Sequence, residues 1–255
     1  MASFQRCITS FLALAPERPK QILSLGAGFD TAFFRLRAQG LPPSLSLWVE
    51  VDFDSIIQRK EAIIRRSPAL ASLASLDAPQ TSPYRLVGAD LATADRLIET
   101  LRKVPLDPNV PTLVILECVT VYLQPAEVPA LLRALGGYFG PGAGPCAVLG
   151  YDPTSEATDR FGLIMIENLR SRGIEVPSLM AFPSCQARQQ LLTSCGWRFP
   201  QCLNMNEAYA KLPVQDRRRV ERTQPLDELE EFRLLHQHYV LWWGVLGDNP
   251  LALMG

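Results

Sequence analysis

Five apolar runs of strand length alternate with helical patterns along the first 151 residues of this 255-residue chain. The apolar runs are Gln21–Gly26, Ser46–Asp52, Tyr84–Gly88, Thr112–Cys118 and Cys146–Tyr151. The helical patterns between them cover Asp30–Gln39, Asp54–Arg66, Ala92–Lys103 and Ala126–Phe139. Near-continuous apolar strands are typical of parallel sheets buried on both faces, and strict alternation favours right-handed βαβ units. The sequence therefore predicts an α/β fold with a doubly wound, mostly parallel sheet.

The pattern changes after Tyr151. Two further helices are predicted at Asp159–Arg172 and Gln186–Ser194, and a closing strand pair at Trp197–Leu203 and His238–Val245. These strands complete a seven-stranded sheet with helical insertions. We expect a single domain over residues 1–255, with a helical cover at about 152–195 and an insert at about 206–231. The segment Ser67–Pro83 is rich in Ser, Ala and Pro, which is typical of a surface loop.

Charge and cysteine content exclude several classes of protein. A formal net charge of −1 gives no electrostatic reason for a nucleic-acid or membrane partner. No apolar stretch approaches the roughly 18 residues that a transmembrane helix requires. The six cysteines form no C-x-x-C and no metal-ligand spacing, so we predict reduced cysteines, no metal site and a cytoplasmic location. We also expect the protein to be a monomer.

Glycines or acids follow four consecutive predicted strands. The first strand ends in Gly26-Ala27-Gly28, the second in Asp52, the third is followed by Asp90, and the fourth ends at Glu117. Ligands of open α/β sheets bind at the carboxyl ends of the strands. We therefore predict one binding pocket at that edge of the sheet.

The glycine loop limits the kind of ligand. It lacks the third glycine of the dinucleotide fingerprint and the Lys-Ser/Thr that binds a triphosphate. An adenosyl ligand such as S-adenosylmethionine therefore fits better than NAD or ATP. Asp52 then accepts from the ribose hydroxyls, Asp90 from the adenine amino group beside Leu91, and Glu117 lies at the methionine end. The alternatives are a purely structural glycine turn and a helix N-cap role for Asp90.

Two side chains are candidates for the reacting centre. Arg160 can hold a carboxylate bidentately, although a surface ion pair with Glu156 or Asp159 is the alternative. Tyr122 stands five residues after Glu117. It either faces the reacting atoms or packs against its neighbours.

Several segments together resemble the leucine carboxyl methyltransferase family. The matching words are Leu25-Gly26-Ala27-Gly28-Phe29-Asp30-Thr31, Glu50-Val51-Asp52-Phe53, Gly88-Ala89-Asp90-Leu91, Glu117-Cys118-Val119-Thr120-Val121-Tyr122 and the segment Asp159–Leu169. The last of these is closer to the branch that methylates the C-terminal leucine of the protein phosphatase 2A catalytic subunit than to the wybutosine branch. The resemblance implies a class I fold, S-adenosylmethionine as cofactor, and that phosphatase tail as acceptor.

The chain departs from the family pattern at two points. The usual Gly-Tyr-x-x-Arg segment is not found in this sequence, which starts near a predicted helix at Phe4–Leu14, and Ala92 stands where an arginine is common. By the resemblance, the arginine of that segment holds the cofactor carboxylate. We therefore expect weakened cofactor binding unless Arg6 or Arg160 takes this role.

Carboxyl methylation also sets what chemistry the residues must supply. A peptide α-carboxylate has a pKa of roughly 3.3–3.7, so it is ionised at neutral pH without a general base. Tyr122 and Arg160 are therefore expected to position the acceptor. A small-molecule or tRNA carboxyl methyltransferase, and a scaffold that binds no cofactor, remain the alternatives.

Overall fold

The computed structural model describes residues 2–40, 42–77, 82–140, 145–155, 160–223 and 228–248. The strands are β1 (Lys20–Leu25), β2 (Leu45–Asp52), β3 (Tyr84–Gly88), β4 (Thr112–Glu117), β5 (Cys146–Pro153), β6 (Arg198–Asn204) and β7 (Tyr239–Leu246). The helices are α1 (Ala2–Ala13), α2 (Ala32–Ala38), α3 (Asp54–Arg66), α4 (Pro68–Ala74), α5 (Ala94–Leu101), α6 (Glu127–Phe139), α7 (Arg160–Ser171), α8 (Cys185–Ser194), α9 (Met205–Ala210), α10 (Val214–Thr223) and α11 (Leu229–Gln237). A short 3₁₀ turn covers Thr120–Tyr122.

The strands form one seven-stranded sheet in the order β3-β2-β1-β4-β5-β7-β6. The first five strands are parallel, and β7 pairs antiparallel with both β5 and β6. The predicted doubly wound fold with its closing strand pair is therefore confirmed. Because β1 lies between β2 and β4, the chain order reverses there, which opens a crevice at the carboxyl ends of β1 and β4.

The sheet separates two apolar layers. On one face, Ile22, Ile115 and Leu149 pack in a cluster with residues of α1 and α2, and on the other Val114 and Val148 pack with residues of α5 and α6. Each fully buried aliphatic side chain of this kind contributes roughly 1.5–3 kcal/mol. Since both faces are covered, the edge of the sheet is where a ligand has room.

One predicted loop contains a helix. The prediction of a surface loop over Ser67–Pro83 is wrong for α4, where the Ser67 side chain accepts the N–H of Leu70 at 3.5 Å and Pro68 occupies the first turn. A serine cap followed by proline is a helix start signal, and the Ser/Ala/Pro composition obscured it. Among the described helices, none has the length and apolarity that crossing a bilayer requires.

One cysteine pair also departs from expectation. Cys185 at the start of α8 and Cys202 in β6 form a disulfide, so the prediction of reduced cysteines is wrong for this pair. Their 17-residue separation in sequence shows no recognisable motif, and only the packing of α8 on β6 brings them together. Cys7, Cys118, Cys146 and Cys195 are free thiols. The cytoplasmic location remains a prediction.

Candidate functional site

The turn after β1 requires glycine at its first position. Gly26 has φ +64° and Gly28 has φ +47°, a region that other residues rarely occupy. A Cβ added to Gly26 would lie 2.5 Å from Cγ2 of Val119, just beyond β4. The glycine therefore allows the turns after β1 and β4 to touch at the crevice, as well as relieving backbone strain.

Asp52, at the end of β2, is hydrogen-bonded to this glycine turn. Its Oδ2 accepts the N–H of Gly28 at 2.7 Å, and its Oδ1 accepts the N–H of Phe53 at 2.8 Å. A carboxylate offers roughly four acceptor positions, so about two remain for a ligand. The acid thus holds the loop in place and keeps capacity to bind hydroxyl groups.

A cleft of about 350 Å³ opens where β1 and β4 end. Its lining includes the predicted residues Gly26 and Glu117, together with Ser24, Leu25, Ala27, Asp30 and Cys118. Burial raises the pKa of the Glu117 carboxyl, and the nearby charge of Asp30 raises it further. A half-buried pair of acids favours a cationic group in this cleft. No group of three metal-binding side chains is found among the described residues.

The acid after β3 lies at the same edge but outside this cleft. The Ala89 N–H donates to the Asp52 carbonyl at 2.9 Å, and the exposed Asp90 accepts the Ala92 N–H at 3.0 Å. Thr93 precedes α5, so Asp90 caps a turn and is not the helix N-cap. Leu91 is buried in the core cluster. The adenine roles of Asp90 and Leu91 stay predictions.

The two predicted catalytic side chains are exposed, and neither belongs to the described lining of the cleft. Tyr122 ends the 3₁₀ turn with 53% exposure, and its pKa is raised by partial burial and then by Cys118. Arg160 is the first residue of α7. Its suggested partners Glu156 and Asp159 lie outside the described residues. Catalytic roles for Tyr122 and Arg160 stay predictions.

Sequence reasoning missed a pair of stacked tyrosines near Tyr122. The rings of Tyr151 and Tyr239 are 5.3 Å apart and nearly parallel. Burial and then the neighbouring Cys118 raise the pKa of each phenol, and Tyr122 raises that of Tyr239 further. Tyr151 is also the register partner of Glu117 in the sheet. Its position at the end of the predicted fifth strand was a signal that could have identified it.

Two further arginines have acidic neighbours. Arg6 is 3.7 Å from Asp216 of α10. Arg35 of α2 lies beside the cleft, 4.0 Å from Asp30, and lines a small cavity together with Glu117. A basic residue in the second turn after a glycine loop was the available signal. Arg35 is therefore a further candidate for holding a ligand carboxylate.

Comparisons with known sequences identify the family that this chain resembles. A sequence model described as leucine carboxyl methyltransferase matches residues 3–136. The chain is 34% identical over 264 residues to the leucine carboxyl methyltransferase 1 homolog of Arabidopsis thaliana, covering all of this chain and 76% of the relative. It is 35% identical over 244 residues to leucine carboxyl methyltransferase 1 of Bos taurus, covering 91% of this chain and 71% of the relative.

A longer relative and a solved structure are also similar to this chain. The chain is 35% identical over 259 residues to tRNA wybutosine-synthesizing protein 4 of Rattus norvegicus; this covers 96% of the chain but only 37% of that protein's length. A putative methyltransferase from Thermobifida fusca superimposes with a TM-score of 0.58 at 16% identity, covering 95% of this chain and 79% of that one. At this identity the superposition shows the fold alone.

Proposed function

Because this chain belongs to the leucine carboxyl methyltransferase family, we propose that it methylates a C-terminal leucine α-carboxylate with S-adenosylmethionine as donor. The proposed acceptor is the tail of the protein phosphatase 2A catalytic subunit. The observation that carries the proposal is the cleft between the ends of β1 and β4, where Gly26, Asp30 and Glu117 meet beside Asp52.

The residues of the cleft fit this cofactor. Asp52 has acceptor capacity for ribose hydroxyls, and the loop offers no cation for a polyphosphate. The half-buried acids Glu117 and Asp30 match the positive charge of an amino-acid moiety. Arg35, beside them, matches a carboxylate. When bound, the cofactor supplies an already activated methyl group, so the protein's task is to bind and align the acceptor.

The acceptor side is best explained by neutral hydrogen-bond donors. Tyr122, Tyr151 and Tyr239 all lie close enough to Cys118 for it to raise their pKa values further above the ordinary value of 10, so the phenols are protonated at neutral pH. A phenol can orient a carboxylate without neutralising its charge, which preserves the nucleophile. This arrangement needs no general base, consistent with an acceptor that is ionised at pH 7.

The surface beyond Tyr122 suits an apolar terminal residue and its neighbours. Ile164 of α7 is 51% exposed. Leu163 on α7 and Met180 are similarly exposed. Two residues before Met180, the Ser178 N–H donates to the Val121 carbonyl at 3.3 Å, which joins the chain around Met180 to the 3₁₀ turn that carries Tyr122. An apolar peptide tail could bury these side chains on docking.

The experiment is incubation with labelled S-adenosylmethionine and two forms of the phosphatase catalytic subunit. One form carries the native C-terminal carboxylate, and the other carries a C-terminal amide. We expect base-labile label in the first form and none in the second, because the amide lacks the nucleophilic oxygen. Equal labelling of both forms would show that another group is the acceptor.

A second candidate function comes from the match to the wybutosine-synthesizing protein, whose identity to this chain is the same 35% as that of the bovine relative. A small-molecule or tRNA carboxylate would then be the acceptor. Parallel assays with total tRNA separate the two candidates. Calorimetry with S-adenosylmethionine alone tests the third possibility, a scaffold, which should show no heat of binding.

A further inference from the structure

A buried ion pair lies beneath the acceptor side of the site. Asp152 of β5 and Arg188 of α8 are 3.2 Å apart, and their side chains are 0% and 1% exposed. The guanidinium also donates to the Pro153 carbonyl at 3.2 Å. Taking two charges out of water is costly unless their hydrogen bonds are well satisfied. The other contacts of Asp152 therefore show what this pair holds together.

Asp152 accepts hydrogen bonds from two further elements. Its Oδ2 accepts the Thr120 hydroxyl at 2.8 Å and the Trp242 indole N–H of β7 at 2.9 Å. Arg188 in turn donates to the Thr120 oxygen at 3.3 Å. One carboxylate oxygen thus joins α8, β7 and the 3₁₀ turn, and Thr120 is the member that belongs to the turn.

The segment held by Thr120 connects the cleft to the residue that we propose positions the acceptor. It runs from Glu117, in the cleft, to Tyr122, and it passes through Cys118 at φ +53°. A left-handed non-glycine residue persists only where the surroundings determine the backbone. The Cys118 N–H donates to the Tyr151 carbonyl at 2.7 Å, and Thr120 fixes the other end of the bend.

We propose that Asp152 and Arg188 are positioning residues that act through Thr120 to hold the segment from Glu117 to Tyr122 in its acceptor-binding conformation. The inference rests on the proposed function in so far as it assigns the acceptor to this segment. Because all three side chains are at most 1% exposed, they are placed to support the groups that contact a ligand and not to contact one themselves. They set the direction of the groups that do.

The test compares two buried threonines, one at the start of β4 and one just beyond its carboxyl end. Thr120→Val removes the hydroxyl that links the turn to Asp152 while keeping a similar shape. Thr112→Val is the matched control, because Thr112 is equally buried at the opposite end of β4 and donates its hydroxyl to the Val110 carbonyl at 2.9 Å. Thr120→Ser restores the hydroxyl and should restore the wild-type behaviour.

Two readouts are measured on the full chain. Hydrogen exchange at the Cys118 and Tyr122 amides should accelerate about tenfold in Thr120→Val relative to Thr112→Val, the factor expected for one lost hydrogen bond. Methyl transfer to the carboxylate tail should fall by a similar factor of about ten in kcat/KM, with the cofactor dissociation constant changed by less than about twofold.

Equal exchange and equal kinetics in the two valine variants would overturn the inference, since the network would then serve stability alone. Failure of the proposed function has a different signature. The wild-type protein would not methylate the carboxylate tail, while the exchange contrast between Thr120→Val and Thr112→Val would still be present and would support the positioning role.

Discussion

The Lys60 ammonium of α3 lies 2.5 Å from Oε2 of Glu50, with both side chains almost fully buried behind β2. The Tyr84 hydroxyl donates to the same oxygen at 2.6 Å. Burial raises the pKa of Glu50, and Lys60 and Tyr84 oppose that effect. Glu50 stands two residues before Asp52 and so projects from the same face of the strand. The pair therefore anchors α3 to the strand that carries the proposed ribose ligand.

Lys60→Met should destabilise the fold strongly because it leaves the Glu50 carboxyl buried without its cation. The expected loss is about 3–5 kcal/mol in the free energy of unfolding, measured by urea denaturation. The double variant Glu50→Gln with Lys60→Met should recover most of that loss, since Tyr84 can still donate to a neutral amide. Equal stability of the single and double variants would contradict a paired role.

Asp52→Ala should weaken S-adenosylmethionine binding. The change removes an acceptor for the ribose hydroxyls and the partner of the Gly28 N–H, at a cost of about 1–3 kcal/mol, or roughly 5- to 150-fold in the dissociation constant. Isothermal titration calorimetry measures the dissociation constant. Asp95→Ala, in the first turn of α5, removes an exposed acid elsewhere and should bind as the wild type does. An unchanged constant for Asp52→Ala would remove the ribose assignment.

Glu117→Gln should stabilise the free protein at neutral pH while weakening cofactor binding. Because the folded-state pKa of Glu117 is raised above its ordinary value of 4.5, its contribution to stability is complete below pH 4.5 and is lost as the pH rises through the raised pKa. The glutamine variant lacks this loss, so its melting temperature should exceed that of the wild type at pH 7 and match it at about pH 4. A constant difference across that range would place the cause elsewhere.

Gly26→Ala should cost more than Gly40→Ala, although both glycines have positive φ. The first substitution meets Val119 at 2.5 Å, whereas nothing lies within 4 Å of a Cβ at Gly40. Strain of the left-handed backbone costs about 1–2 kcal/mol at either site, and the clash adds to it at Gly26. Thermal melts of both variants, with cofactor titrations, measure the difference. Equal costs would mean that Val119 yields without penalty.

Local periodicity accounts for what could be predicted. The apolar runs and the helical spacing between them lie within short windows, and burial on both faces of a sheet demands that pattern, so all seven strands were bounded to within two residues. The strand-end residues Gly26, Asp52 and Glu117 were identifiable for the same reason, because parallel strands bring their carboxyl ends to one edge. The helix α4 was missed where composition outweighed a capping signal.

What the sequence by itself determined was the sheet, its edge and the acids at that edge. The tertiary structure decided which distant residues support them: Thr120 and Asp152 are 32 positions apart, Asp152 and Arg188 are 36, and Glu50 and Tyr84 are 34. It also placed Arg35 beside Glu117 and joined Cys185 to Cys202. Such contacts depend on how helices pack across the sheet. A charge or thiol is stabilised in the interior by whichever partner the packing brings within hydrogen-bond or bonding distance, and no local pattern encodes that partner.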